Sequence, residues 1–242
     1  MKGFILALGF LTRLPVPRVV ADEAAFAASM RWFPAVGLVV GGLVAGAAWV
    51  GANIDPWIGA LVALFMWVIV TGALHLDGLA DLADAGGAAH KDRARLLAVL
   101  ADPHVGSFGV VAIALQLLAK LVLLHILVDA RAFLLLVLVP FAARMGPLVW
   151  TRWLPSLHQG LAARFRSAIR PRDIALWGVA LVAACWCSPA LLVTPLLIGW
   201  WGWQVRRTIG GISGDGHGAG IELIETALLL SHVVAVRLFQ GL

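Results

Sequence analysis

The sequence predicts an all-α fold, a polytopic membrane bundle of about seven transmembrane helices, and three observations carry that expectation. Its 242 residues are 62% hydrophobic and only 13% charged, which leaves few groups to face water. Several apolar runs approach the roughly 20 residues that a helix needs to cross a bilayer. No ten-residue segment alternates in polarity as the strands of a barrel must, so helices are the spanning element.

From the N-terminus, the short apolar run from Phe4 to Leu11 is followed by Arg13 and Arg18, which suits a retained membrane-edge segment better than a span or a cleaved signal. Spans are expected over roughly 33–52, 56–74, 105–127, 132–150, 174–187, 189–203 and 219–239. The fifth and sixth are short and meet at Pro189, as a tight hairpin or a re-entrant pair would. Trp32, Trp49, Trp57, Trp150, Trp153, Trp186, Trp200, Trp201 and Trp203 fall near span ends, the place of interfacial anchors. Cys185 and Cys187 sit two apart within an apolar helix and read as small core residues. Without a soluble domain, linker or repeat, residues 1–242 read as one membrane domain.

With the N-terminus on the cytoplasmic side, the basic residues separate by side. Lys2, Arg13, Arg18, Arg31, Lys91, Arg93, Arg95, Arg144, Arg152, Arg164, Arg166, Arg170, Arg172, Arg206 and Arg207 lie inside or at the inner edge, against Arg131 and Arg237 outside. The expected location is therefore the inner, cytoplasmic membrane. The net charge of +5 describes topology and attraction to anionic lipid, and no nucleic-acid partner is expected.

The polar groups gather on that same side. Between Thr71 and Asp84 the chain places His75, Asp77, Asp81 and Asp84 where an apolar span ends. Spacing of i, i+4, i+7 confines the three carboxylates to a stripe about 60° wide on one helix face. Such like charges repel, and a divalent cation relieves them; Mg²⁺ in particular shares its coordination between carboxylates and substrate phosphates. A solvated acidic helix end is the alternative. Asp102 before Pro103 reads as the N-cap of the third span, and Gly106 and Gly109 would let an anion approach that terminus.

The segment from Gly210 to Gly220 holds six glycines in eleven residues and reads as a phosphate-cradling loop with Asp215 and His217 inside it. Glu222 and Glu225 follow in what is expected to be the first turn of the last span. Lys120, with Gln116 one turn earlier, is the charge deep in a span and is expected to meet a phosphate or a carboxylate. Arg144 reads as a snorkelling side chain. Nucleophile, paired-histidine zinc and Walker-type motifs are absent, so carboxylate, metal and phosphate-binding chemistry remains, which suits phosphoryl transfer.

Five blocks then stand together: Thr12-Arg13-Leu14-Pro15-Val16-Pro17; Arg31-Trp32-Phe33-Pro34 with Gly37; Gly72-Ala73-Leu74-His75-Leu76-Asp77-Gly78-Leu79-Ala80-Asp81 with Asp84; Asp102 with Gly106, Phe108 and Gly109; and Gly210-Gly211, Gly214-Asp215 and Glu222. This set resembles the cobalamin synthases, the adenosylcobinamide-GDP ribazoletransferase family, with departures at Leu82, Ala85, Ile212 and Ser213. The resemblance implies a Mg²⁺-dependent membrane transferase. Its substrates would be adenosylcobinamide-GDP and α-ribazole or α-ribazole 5′-phosphate, and its products adenosylcobalamin or its 5′-phosphate and GMP. On this resemblance Asp77 and Asp81 are the primary Mg²⁺ ligands, with Asp84 a further ligand or the base for the ribose proton. Asp102 and Asp215 complete the metal site or orient the nucleophile. Arg13, Arg31, His75, Lys120 and the loop around Gly214 bind substrate, the cations neutralising the pyrophosphate. Two other readings stay open: a CDP-alcohol-type phosphotransferase, whose Asp-Gly-x-Ala-Asp pattern is similar, and an ion or metabolite transporter with Asp77, Asp81, Asp84 and Lys120 along its path.

Overall fold

The computed structural model describes residues 1–88, 93–100, 104–157 and 161–240. These residues form thirteen α-helices: α1 (Lys2–Leu11), α2 (Glu23–Ser29), α3 (Phe33–Ala52), α4 (Pro56–Thr71), α5 (Leu74–Ala88), α6 (Arg93–Leu100), α7 (Ser107–Asp129), α8 (Phe133–Ala143), α9 (Gly146–Trp153), α10 (Leu161–Ala168), α11 (Pro171–Cys185), α12 (Thr194–Thr208) and α13 (Gly214–Gln240). Short 3-10 turns join α2 to α3 and precede α12. Among the described residues the sole strand-like feature is a parallel bridge between Ser156 and Ile212, which ties the segment after α9 to the start of α13.

Four stretches are long and apolar enough to cross a membrane: Glu23–Ala52, Ser107–Asp129, Phe133–Trp153 and Gly214–Arg237. Helices α4 and α5 pass the same test together but meet at 85°. The expected spans at 174–187 and 189–203 become α11 and α12, each of 15 residues. At 1.5 Å per residue that is about 22 Å, short of a hydrocarbon core of about 30 Å. Seven full-length spans are therefore more than these helices supply. The expectation counted apolar residues on both sides of Pro189 and missed the 3-10 turn that consumes several of them.

The bend between α4 and α5 positions the polar stripe. Asp55 caps α4 by accepting from Trp57 N at 2.7 Å, and Pro56 opens it. The helix ends where Gly72 and then Ala73 adopt φ of 60° and 58°, a left-handed pair that reverses the chain direction. Arg13 locks the corner: its backbone N donates to Val70 O at 2.7 Å, and its side chain lies over Gly72 where a Cβ would clash. Hence α5 is a transverse arm at the end of the bundle and not a continuation of the α4 span.

Packing elsewhere rests on small residues, as membrane helices favour when close approach is the source of attraction. A Cβ on Gly37 would fall 2.7 Å from Phe141 Cα, and one on Gly41 2.7 Å from Val137 Cα, so α3 lies backbone to backbone on α8. Helix α13 is central and packs on α5, α7 and α8. Trp150 and Trp201 are buried there and are not interfacial anchors. Their indole N–H groups donate to Ile198 O and Gly216 O, both at 2.9 Å, which lets the two large rings sit inside at no polar cost. Trp49, Trp57, Trp153, Trp186, Trp200 and Trp203 are exposed.

Candidate active site

The segment expected to be a glycine-rich loop is helical from Gly214 onward. Ser213 starts it, its Oγ accepting from Gly216 N at 3.0 Å. The glycines act in packing. A Cβ on Gly78 of α5 would fall 2.8 Å from Asp215 Cα, and one on Gly218 of α13 would fall 3.3 Å from His75 Cα. A Cβ on Gly220 would meet Trp150 and Trp201. The two helices thus cross in backbone contact, and the crossing brings Asp77 and His75 beside Asp215 and His217 on the wall of one cavity of about 830 Å³. Gly78→Ala puts a methyl against backbone that cannot yield; turnover is expected to fall at least about tenfold, since a displacement near 1 Å in a reacting geometry costs up to a hundredfold. Normal kinetics of Gly78→Ala would contradict this crossing.

The three aspartates of the stripe part company. Asp77 is exposed at the cavity, Asp81 is half-buried one turn on, and Asp84 is buried. Asp84 accepts from Gly106 N at 2.7 Å and from Gly109 N at 2.9 Å, one oxygen to each, and so caps α7 from a neighbouring helix. A Cβ at Gly106 or Gly109 would strike this carboxylate, which explains both glycines without an approaching anion. Asp102 lies outside the described residues, and the helix it was expected to cap begins only at Ser107. Partial burial, then the charges of Asp77, Asp215 and Asp84, hold the Asp81 carboxyl up at about 6 from an ordinary 3.8.

Lys120 meets carboxylates of the protein itself. Its Nζ lies 2.7 Å from Glu222 Oε2 and 2.6 Å from Glu225 Oε2, over the Trp67 ring at 4.3 Å. Arg144 does not snorkel: it is fully buried, with Nη1 2.7 Å from Glu225 Oε1 and donating to Pro140 O at 3.1 Å. Gln116 Nε2 donates to Glu222 O and Oε2 and to Thr226 Oγ1. Because α13 starts at Gly214, Glu222 and Glu225 lie past its first turn and face α7 and α8. Two cations and two anions cancel, forming a structural brace beneath the cavity.

Of the residues expected to bind substrate, His75 and Gly214 line the cavity. Arg13 stands at the α4–α5 corner, its backbone N on Val70 O and its exposed side chain over Gly72. Arg31 borders a separate hollow of about 300 Å³ with Arg170. Among the described lining residues the cavity's guanidinium is that of Arg166 of α10, one of the inner-side arginines that topology explains in the sequence. The cavity wall also carries four aromatic rings, those of Phe10, Phe26, Phe33 and Phe165. Those four come from α1, α2, α3 and α10, and no spacing in the chain announces their meeting. Among the described residues, no three acidic or histidine side chains converge closely enough to hold a metal by themselves.

Comparison with known proteins places this geometry. Residues 3–233 match the family described as cobalamin-5-phosphate synthase. An adenosylcobinamide-GDP ribazoletransferase of Novosphingobium aromaticivorans is 77% identical over 235 residues, 96% of each chain. One of Thiobacillus denitrificans is 49% identical over 245 residues, 100% of this chain and 99% of the relative. A third, from Brevibacillus brevis, is 35% identical over 95% of this chain and 97% of its own length. No solved structure matches. A match across nearly the whole chain, together with relatives of the same length and one printed activity, shows that the chain belongs to the cobalamin-5-phosphate synthase family.

Proposed function

We propose that the protein transfers the adenosylcobinamide-phosphate part of adenosylcobinamide-GDP to α-ribazole or its 5′-phosphate, releasing GMP. The observation that carries this reading, beside the family, is the cavity that faces Asp77 and Asp215 across the α5–α13 crossing. A ribose hydroxyl oxygen forms a bond to the phosphorus that bears the cobinamide arm. The bond from that phosphorus to the bridging oxygen breaks, and GMP leaves with the electron pair. Asp215 takes the hydroxyl proton, since Asp84 is committed to capping α7.

The donor set fits a magnesium ion of the kind shared with substrate. Mg²⁺ takes one or two carboxylates and completes its shell with water and phosphate oxygens, a demand that two aspartates one turn apart on α5 can meet. Asp77 and Asp81 would hold it, and when bound it supplies neutralisation of the pyrophosphate. A readout independent of turnover follows from Asp81. A carboxyl held up at about 6 contributes stability at low pH that is lost as pH rises through that value. Added Mg²⁺ should therefore raise the unfolding temperature more at pH 8 than at pH 5, and Asp81→Asn should flatten the difference. An equal Mg²⁺ effect at both pH values would count against these ligands.

Purified protein in detergent with both substrates and Mg²⁺ should release GMP. If it releases none but carries a cation across liposome membranes, the transporter reading replaces this one. The bias of basic residues supports a site on the cytoplasmic face of the inner membrane, and it stands after Arg144 is moved to the interior. In a Cys-free background, Val105→Cys should react only with reagent that enters the cell, and Ile54→Cys with impermeant reagent outside; both positions are exposed. The reverse pattern overturns the orientation.

A further inference from the structure

We propose that the hollow bordered by Arg31 and Arg170 is a binding site for the phosphate of an anionic membrane phospholipid, held beside the starts of α3 and α11. The site lies apart from the cavity, and it does not depend on the transferase reading above.

The hollow, of about 300 Å³, is lined by Ala24, Ala28, Arg31, Ser167, Ala168 and Arg170. Two guanidinium groups thus border a space whose described lining includes no carboxylate, and like charges so placed favour an anion between them. Nε of Arg31 is buried without a hydrogen-bond partner, a costly state until an acceptor reaches it. Both arginines are held through their backbones: Trp177 Nε1 donates to Arg31 O at 2.7 Å, and Arg170 N donates to Asp173 Oδ2 at 2.9 Å. The carboxylates of Asp173 and Asp22 are engaged at the starts of α11 and α2, Asp22 accepting from Ala25 N at 2.7 Å. Each guanidinium presents a planar fork of N–H donors, the geometry that matches a phosphate.

Placement identifies the source of the phosphate as lipid. Arg31 precedes α3 by two residues, and Arg170 precedes α11 by one. Farther along, both helices expose apolar side chains: Leu38 and Val50 on α3, and Leu176, Val179 and Val182 on α11. Such side chains face acyl chains in a membrane, which sets the hollow at headgroup depth, where basic pockets beside spanning helices hold anionic headgroups. Helices α2 and α10 also separate the hollow from the cavity. Ala24 and Ala28 lie on one face of α2, while Phe26 and Met30 lie on the other and line the cavity. Phe26 meets Phe165 of α10 edge-on at 5.7 Å, which closes the partition. A phosphate in the hollow therefore stands across a wall from Asp77 and Asp215, which a reacting phosphate has to reach. The volume, at the low end for ligand sites, suits a phosphate with a short headgroup.

The test is thermal unfolding of the full-length protein in non-ionic detergent micelles at fixed ionic strength. Dioleoylphosphatidylglycerol should raise the unfolding temperature of wild type by at least about 3 °C more than the same concentration of dioleoylphosphatidylcholine. Arg31→Gln/Arg170→Gln should lose most of that difference. Arg206→Gln/Arg207→Gln, which removes the same charge from exposed residues of α12 outside the hollow, should keep it. If the first double variant fails to fold, Arg170→Gln alone, a change to an exposed side chain, should still cut the difference by about half. Inorganic phosphate and pyrophosphate in place of lipid should move wild type no more than sodium chloride of equal ionic strength does. Four results overturn the lipid site: no difference between the two lipids, a difference that survives in the Arg31 and Arg170 variants, equal losses in both double variants, or a pyrophosphate shift in wild type that vanishes in Arg31→Gln/Arg170→Gln. Equal losses would reduce the effect to general charge attraction, and the pyrophosphate result would make the hollow a site for a soluble phosphate.

Discussion

Asp77→Asn and Asp81→Asn are each expected to lower turnover by at least about a hundredfold in a protein that still inserts and folds. Both side chains project from α5, Asp77 onto the cavity that Asp215 also lines, and among the described residues no hydrogen bond between helices rests on either, so loss of charge should spare the scaffold. Each variant removes a carboxylate that would hold the magnesium facing the developing negative charge, and loss of one such electrostatic contribution typically costs about 10²–10³ in rate, roughly 3–4 kcal/mol. Asp84→Asn should behave differently. An amide can accept from only one of Gly106 N and Gly109 N and turns its NH₂ toward the other, so about 1–3 kcal/mol of stability is lost at the start of α7. Raising Mg²⁺ should recover part of the Asp81→Asn activity and none of the Asp84→Asn stability. Near-normal rates for the Asp77 and Asp81 variants at limiting Mg²⁺ would remove them from the metal site.

How far the chain could be read before its structure depended on range. The all-helical fold follows from runs of apolar residues, a local signal, and the i, i+4, i+7 stripe does lie along one helix. What the stripe does was not legible, because α5 tilts inward: Asp77 meets the cavity, and Asp84 meets backbone N–H groups 22 and 25 residues away. Spacing reports a shared face and is silent about what that face touches. The glycines between 210 and 220 were read as loop for a related reason. Helix propensity argues against glycine by about 1 kcal/mol each, and the gain from packing α5 and two tryptophans at backbone distance outweighs it. Lys120 was correctly singled out by its depth, yet its partners come from 102 and 105 residues later in the chain. Sequence shows that such a charge needs a partner and cannot say whether the partner is substrate or protein.

That question has its own experiment, and the effect should be large. Glu225→Gln leaves Lys120 and Arg144 in the interior with one carboxylate between them, and breaking a buried pair in this way costs about 3–5 kcal/mol. The protein should lose most of its yield in detergent or unfold well below the wild-type temperature. Lys120→Met alone should be comparably damaging, because Glu222 then keeps a buried charge with no cation beside it. The double variant Lys120→Met/Glu222→Gln removes one charge of each sign and keeps the 2.7 Å pair of Arg144 with Glu225. A glutamine at 222 can still accept from Gln116 through its carbonyl oxygen. Stability should therefore return to within about 1–2 kcal/mol of wild type, since an apolar replacement of a buried pair is often nearly neutral. GMP release decides the role of the lysine. If the ion cluster is a brace, the refolded double variant regains turnover along with stability. If Lys120 meets the pyrophosphate, it folds and stays slow, and the brace assignment falls.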